Sequence, residues 1–248
     1  MNRLAHARLL EALAVLSSLA VGACGGPDTG DSSGGRSATT SGAETTEGEP
    51  DDGMQIEGTL GTISQRAIED GIQRNLPRIS RCFSDRYDQV EVLGGHMEMA
   101  FRIKTDGHVR WVYLRHSTVG DRDTERCILN VLSRIQFERP RSGEAEFATP
   151  LDLDPPEDVR PPVEWATSRV EPLVMEQGAA LLESCGASGQ AAQVTAYIAP
   201  GGAAITAGAA IDAPDIVEPL DCLAAGVRAW TWPDPGSYPA KVTFDLLP

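Results

Sequence analysis

Apolar residues recur at helical spacing between residues 68 and 83. Spacings of three and four residues place side chains on one face, which predicts an amphipathic helix. Pro77 lies inside this run and must kink or restart the helix, because proline cannot donate the backbone hydrogen bond of a helix interior. The apolar positions are Ile68, Ile72, Leu76, Ile79 and Phe83.

Large apolar residues alternate with polar or small ones over 97–103, which predicts a half-buried strand. A turn over 105–107 leads into a second strand over 108–116, because Gly107 can take the positive φ that hairpin turns require. A helix that is capped by Asp121 or Asp123 and a closing strand over 144–153 complete the unit.

The buried face of the second strand has two interpretations. Strict alternation from the turn buries Trp111 and Tyr113. A bulge after Val109 instead buries Val112 and Leu114.

The unit occurs twice in the chain. Residues 107–152 align without gaps on 202–247, and upstream Cys82 matches Cys185. We interpret this match as a duplication, with a second copy that lacks eight residues before its first strand. The matched pairs are Gly107 with Gly202, Cys127 with Cys222, Ile135 with Trp230, Phe137 with Trp232 and Pro140 with Pro235.

The second copy repeats the order of elements. We expect a helix over 173–185, a hairpin over 193–199 and 203–210, a helix with Pro214 in its first turn, and a last strand over 240–246. The predicted fold class is α+β: two tandem helix–strand–strand–helix–strand units, each a small antiparallel sheet with two helices on one face.

The first unit, from Gly58 to about Asp154, resembles the AgmX/PglI C-terminal domain, a TonB-C-like module of envelope proteins in gliding bacteria. The resemblance implies an envelope location, and the family's cysteine pair falls on Cys82 and Cys127. The second unit keeps its cysteine pair but departs from the family's turn after the second strand, so it is interpreted as a degenerate copy. The matching segments are NLPRISRCF (75–83), FRIKTDGHV (101–109), HST (116–118), ERCILNVL (125–132) and IQFERP (135–140), behind Ile68 and Ile72.

The N-terminus has the pattern of an export signal. Arg3 and Arg8 precede a short apolar stretch, and Val21–Cys24 resembles the lipobox of bacterial lipoproteins, in which the cysteine is acylated after cleavage. We therefore expect a signal peptide over 1–23 and a lipidated Cys24. Gly25 rather than Asp after this cysteine favours the outer membrane.

The rest of the chain divides by composition. Residues 24–58 are predicted to be a disordered acidic tether, because they are rich in Gly, Ser, Thr, Asp and Glu. Residues 59–154 form the first unit, 155–167 a Pro-rich linker, and 168–248 the second unit.

The net charge of −15 over 248 residues argues against nucleic-acid binding, which relies on clustered Lys and Arg. The first unit is nearly neutral, at −1, whereas residues 155–248 carry −8. No uncharged apolar run is long enough to predict a membrane-spanning helix.

Four cysteines remain beyond Cys24, an even number that is typical of disulfides in an exported protein. Of the three possible pairings we favour Cys82–Cys127 and Cys185–Cys222. The two helices of a unit should lie side by side on the sheet, and both copies keep the pair at equivalent positions. Free buried thiols are the alternative, and a redox role is disfavoured because no C-x-x-C motif occurs.

No catalytic motif is evident in the sequence, and we expect neither a cofactor nor a metal. If the hairpin pairs Lys104 with His108, then His96 faces His116, but two imidazoles are too few for an ordinary metal site. The same register sets Arg102 beside Arg110, close to Lys104. These three cations are the candidate partner-binding residues.

Two functions are compatible with these patterns. The first is a non-enzymatic interaction module on a lipid anchor, which binds envelope protein partners in the periplasm or at the cell surface, for example by strand addition at a sheet edge. The second is a ligand- or metal-binding, or hydrolytic, lipoprotein. We expect the first unit to bind and the second to pack or space.

Overall fold

A computed structural model describes residues 60–155 and 157–248. The expected signal peptide, the acylated Cys24 and the tether over 24–58 lie outside this part of the chain.

Helices α1 (Gln65–Gln73) and α2 (Leu76–Tyr87) open the first copy. Ser64 caps α1, since its hydroxyl accepts a hydrogen bond of 3.2 Å from the amide of Ala67. Pro77 restarts the helix rather than kinking it, because it occupies the first turn of α2, where no intrahelical donor is required.

The first sheet contains β1 (Gly95–Ile103), β2 (Val109–Ser117) and β3 (Ala145–Leu153) in the order β2–β1–β3. Both pairings are antiparallel. Of the two registers open for β2, the structure has the bulged one: Arg102 pairs with Trp111 but Ile103 with Val109, so Arg110 is the extra residue.

The core of the first copy lies between this sheet and its helices. Val112 and Leu114 point towards it, as the bulge predicts. Helix α3 (Arg122–Leu132) begins after the cap Asp121 and contributes Ile128 and Leu132, both fully buried. The predicted disulfide Cys82–Cys127 joins α2 to α3.

The second copy repeats the order of elements of the first and adds one strand to its sheet. Helix α4 (Glu171–Ser184), strands β5 (Ala192–Ile198) and β6 (Ala204–Ala210), helix α5 (Val217–Arg228) and strand β7 (Ala240–Leu246) follow in order. Strand β4 (Val163–Trp165) forms within the Pro-rich segment and extends the sheet to β4–β7–β5–β6, parallel to β7. The second predicted disulfide, Cys185–Cys222, joins α4 to α5.

Three details support the duplication. The hairpin of the second copy has its register shift at Ile205, the repeat equivalent of Arg110. Gly107 and Gly202 have φ near 90° and 80°, and each has a backbone carbonyl 2.3–2.4 Å from where a Cβ would lie. Those carbonyls belong to Phe137 and Trp232, which are themselves equivalent.

One prediction about α5 is wrong. Pro214 precedes the helix, which begins at Val217. Asp215 has a left-handed φ of 59°, so the chain turns there and a right-handed helix cannot run through it. Among the described residues, none of the helices is long and apolar enough to cross a membrane.

Candidate functional site

The two copies, which lie in one compact unit, meet in an approximately two-fold arrangement. Arg122 and Val217 are equivalent residues at the starts of α3 and α5, and they contact each other: the Arg122 Nη2 donates to the Val217 carbonyl at 3.4 Å. Contact between equivalent residues is the mark of a two-fold axis. The start of α3 therefore faces β6, and the start of α5 faces β2.

Each side of this axis has a groove. The polar groove lies between β6, α5 and the start of α3, with a volume of about 170 Å³. The apolar groove lies between β2, α3 and the start of α5, with a volume of about 280 Å³. The polar groove is lined by Asp121, Arg122, Asp123, Arg126, Thr206, Ala207, Asp221, Ala224, Ala225 and Arg228.

Asp121 organises the polar groove. Its carboxylate caps α3 through Thr124 and accepts two hydrogen bonds from Arg86, at 2.8 and 3.0 Å. It also accepts one of 2.6 Å from the Thr206 hydroxyl of the second copy. Burial alone would raise the pKa of Asp121, but these hydrogen bonds outweigh it and hold the pKa below its ordinary value.

Glu125 lies one turn further along α3 and is fully buried. Its Oε1 accepts a hydrogen bond of 2.7 Å from the Ser117 hydroxyl. The side chain rests against Gly208 of β6, where a Cβ would come within 2.3 Å of that oxygen. Burial raises the pKa of Glu125 to about 7.

The outer face of the second sheet completes the contact between the copies. The Tyr197 hydroxyl and the Lys241 ammonium both donate to the Gly94 carbonyl, at 2.7 and 2.9 Å. Thr195 donates to the Ser117 carbonyl at 3.2 Å. Burial lowers the pKa of Lys241. This face of the second copy is therefore an internal interface.

The apolar groove differs from the polar groove because the start of α5 does not pack against β2 as α3 packs against β6. β2 is the edge strand of the first sheet, since it pairs with β1 alone among the described strands, and its residues 110–114 line the groove. Val217, half exposed at 50 %, forms part of the opposite wall. The lining residues are Arg110, Trp111, Val112, Tyr113, Leu114, Arg122, Arg126, Leu129, Asn130, Ser133, Asp215, Ile216, Val217 and Leu220.

Two aromatic side chains hold this groove open. Trp111 and Tyr113 occupy the positions of Thr206 and Gly208 in the repeat, and their rings lie 5.3 Å apart between centroids. A threonine and a glycine allow α3 to approach β6 closely, whereas two aromatic rings keep the start of α5 away from β2. The Tyr113 hydroxyl also donates to Asp212 of the second copy at 2.9 Å.

The three predicted partner-binding cations lie in different places. Arg102 donates to Glu144 at 2.6 Å and lies 3.2 Å from Glu146, whereas Arg110 lines the apolar groove and also pairs with Glu144. Lys104 is exposed at the hairpin turn. Arg102 faces Trp111 rather than Arg110 across the strands, because the bulge shifts the register. Glu144 therefore joins the two arginines.

His96 and His116, which an unbulged register would set opposite each other, do not pair, for the same reason. A second register shift, between Glu98 and Met99, pairs Glu98 with His116. His96 instead contacts Asp152, at 2.8 Å. Within residues 60–155 and 157–248, no three His, Cys, Asp or Glu side chains converge in a way that could hold a metal ion.

Comparisons with known proteins identify no relative: no family model, no curated protein and no solved structure matches the chain. The two disulfides are compatible with export to an oxidising compartment.

Proposed function

We propose that the protein is a non-enzymatic interaction module of the cell envelope, and that it binds an extended segment of a partner protein in the apolar groove. The observation that carries this proposal is an apolar groove along an edge of the first sheet. An edge strand offers backbone donors and acceptors to an added strand, and adjacent pockets select its side chains.

The groove suits a short segment. Five consecutive residues of β2, from Arg110 to Leu114, line it, which corresponds to about 17 Å of strand. A paired segment of about that length would direct alternate side chains towards Leu129 on α3 and towards Val217 on α5. We therefore expect a ligand that alternates apolar side chains.

The second copy contributes to the same groove, since Ile216, Val217 and Leu220 belong to it. Binding should therefore need both copies, in contrast to the sequence-based expectation that the first copy binds alone. Removing residues 155–248 would also uncover the surface around Gly94 that the second sheet buries.

We propose further that acylated Cys24 anchors the module, because Val21–Cys24 resembles a lipobox. Cleavage and acylation there would tether both copies to the outer membrane through residues 25–58. Metabolic labelling with a fatty acid should mark the wild-type protein and not Cys24→Ser. Equal labelling of both would contradict lipidation at this cysteine.

Selection of random peptides on the full mature chain tests the groove. We expect the selected peptides to alternate apolar residues and to lose at least tenfold in affinity for Val217→Asp, because a carboxylate on the wall must be desolvated. Met175→Asp is the matched control, since Met175 is a 78 % exposed apolar residue that does not line the groove.

Equal affinity of the peptides for wild type and Val217→Asp would place binding elsewhere. Turnover of an envelope substrate by the purified protein would contradict the non-enzymatic role.

A further inference from the structure

Glu125 has an unusual setting for a carboxyl group. It is fully buried, and it lies at the contact between the copies rather than inside one core. Asp121 is the other fully buried acid among the described residues, and its hydrogen bonds from Arg86, Thr124 and Thr206 suit an ionised carboxylate. Glu125 lacks such a set.

Each element around Glu125 contributes a different group. Ser117 at the end of β2 donates one hydrogen bond to Oε1, whereas Oε2 has no hydrogen-bond partner among the described residues. β6 presents Gly208, which has no side chain, and the backbone NH of Ala209, which lowers the pKa of Glu125. Tyr197 of β5 is near enough for the charge of Glu125 to add to the rise that burial causes in the pKa of Tyr197. The neighbouring charges on α3 are Asp121 and Arg122.

Neither neighbouring charge fully compensates an ionised Glu125. Asp121 is already an anion and repels a second one. Arg122 attracts the Glu125 carboxylate, but the Arg122 Nε already donates a hydrogen bond of 2.6 Å to Asp221 of α5. The buried Nη1 of Arg122 has no hydrogen-bond partner among the described residues. An incompletely paired buried charge is strongly destabilising.

We infer that proton release from Glu125 loosens the contact between α3 and β6 and thereby changes the apolar groove. The two grooves lie on opposite sides of the contact between the starts of α3 and α5. Because Val217 and Trp111 are walls from different copies, any shift of one copy against the other alters their separation. The biological meaning of this control rests on the proposed function, but the movement does not.

The direction follows from linkage. A carboxyl group that binds its proton more tightly in the docked than in the undocked state favours docking at low pH. The burial that raises the pKa of Glu125 to about 7 therefore makes docking firm near pH 5 and weaker above pH 7. The docking equilibrium should change by about fortyfold between pH 5 and pH 7.

Nuclear magnetic resonance of the full mature chain tests this inference. The carboxyl carbon of Glu125 should titrate near neutral pH, and the indole NH signal of Trp111 should follow with the same midpoint. Glu125→Gln should remove that transition from the Trp111 signal while keeping a hydrogen-bond acceptor for Ser117. Glu176→Gln is the matched control, because Glu176 is exposed on α4, and it should leave the transition intact.

Gly208→Ala provides a second, independent variant, since its methyl group would displace the Glu125 carboxyl at every pH. We expect its Trp111 signal at pH 5 to resemble that of the wild type at pH 8. The inference is overturned if Glu125 titrates in the ordinary acid range, or if the Trp111 transition persists in Glu125→Gln.

Neither signal requires a bound peptide. The inference can therefore fail while the groove still binds peptides, and peptide binding can fail while the titration of Glu125 holds.

Discussion

The two grooves occupy equivalent places in a duplicated unit and have opposite characters. In the polar groove, Thr206 and Gly208 let α3 reach the second sheet, and Asp121 joins the copies by a hydrogen bond. In the apolar groove, Trp111 and Tyr113 stand at the same positions, and the start of α5 is left apart from β2. The fold is shared, so the difference arises from side chains at a few positions.

This difference assigns separate tasks to the two sides. Buried, hydrogen-bonded polar groups on one side specify how the copies dock. Exposed apolar groups beside an edge strand on the other side are typical of a surface that binds another molecule.

The largest effect on stability should appear when the residue before α3, and not the equivalent residue before α5, is replaced by alanine. Asp121→Ala removes the cap of α3 and leaves Arg86 without its buried partner, so we expect a loss of about 3–5 kcal/mol in the free energy of unfolding. Ile216→Ala, at the equivalent position, should cost only about 1 kcal/mol because Ile216 is half-buried. Urea denaturation of both variants gives the comparison, and equal losses would refute the distinction between the grooves.

A smaller loss is expected for Gly208→Ala, about 1–3 kcal/mol, because the added methyl group meets Glu125 in a filled interface. In the background of Glu125→Ala the same substitution should cost at least 1 kcal/mol less, since the carboxyl group is gone. Thermal or urea unfolding of the four proteins closes this cycle. Additive losses would mean that the two residues do not press on each other.

The smallest effect on stability should come from making the apolar groove resemble the polar one. Trp111→Thr combined with Tyr113→Gly should change the free energy of unfolding by about 1–2 kcal/mol, because both side chains are only half-buried. Its peptide binding should nevertheless fall at least tenfold, as measured by calorimetry. Trp111→Phe is the control that keeps an aromatic side chain in the wall. Unaltered binding by the double variant would argue that Trp111 and Tyr113 do not hold the groove open.

Local structure was largely predictable from the sequence. Alternation indicates β1 and β7, helical spacing indicates α2 and α3, and the repeat indicates both disulfides. The bulge at Arg110 was foreseen only as one of two registers, because a single extra residue reverses the faces and both outcomes bury apolar side chains.

The docking of the copies was not foreseen. The polar residues Thr195 and Lys241 gave no sign of burial, since an alternation pattern shows which residues share a face but not what covers it. One signal was present: β6, AITAGAA, has small or apolar residues on both faces, which is typical of a strand buried on both sides. The groove followed from that docking, so its residues could not be grouped from sequence.

Joining the two units in one chain has a consequence for stoichiometry. Two identical units around a true two-fold axis would carry two equal grooves, and such a bivalent protein could link its partners into networks. Here the covalent connection, reinforced by β4 on β7, lets each unit diverge while they remain paired. One groove has become the joint, so the part of the chain that the structure describes keeps one apolar groove at this contact and should engage one partner segment at a time there.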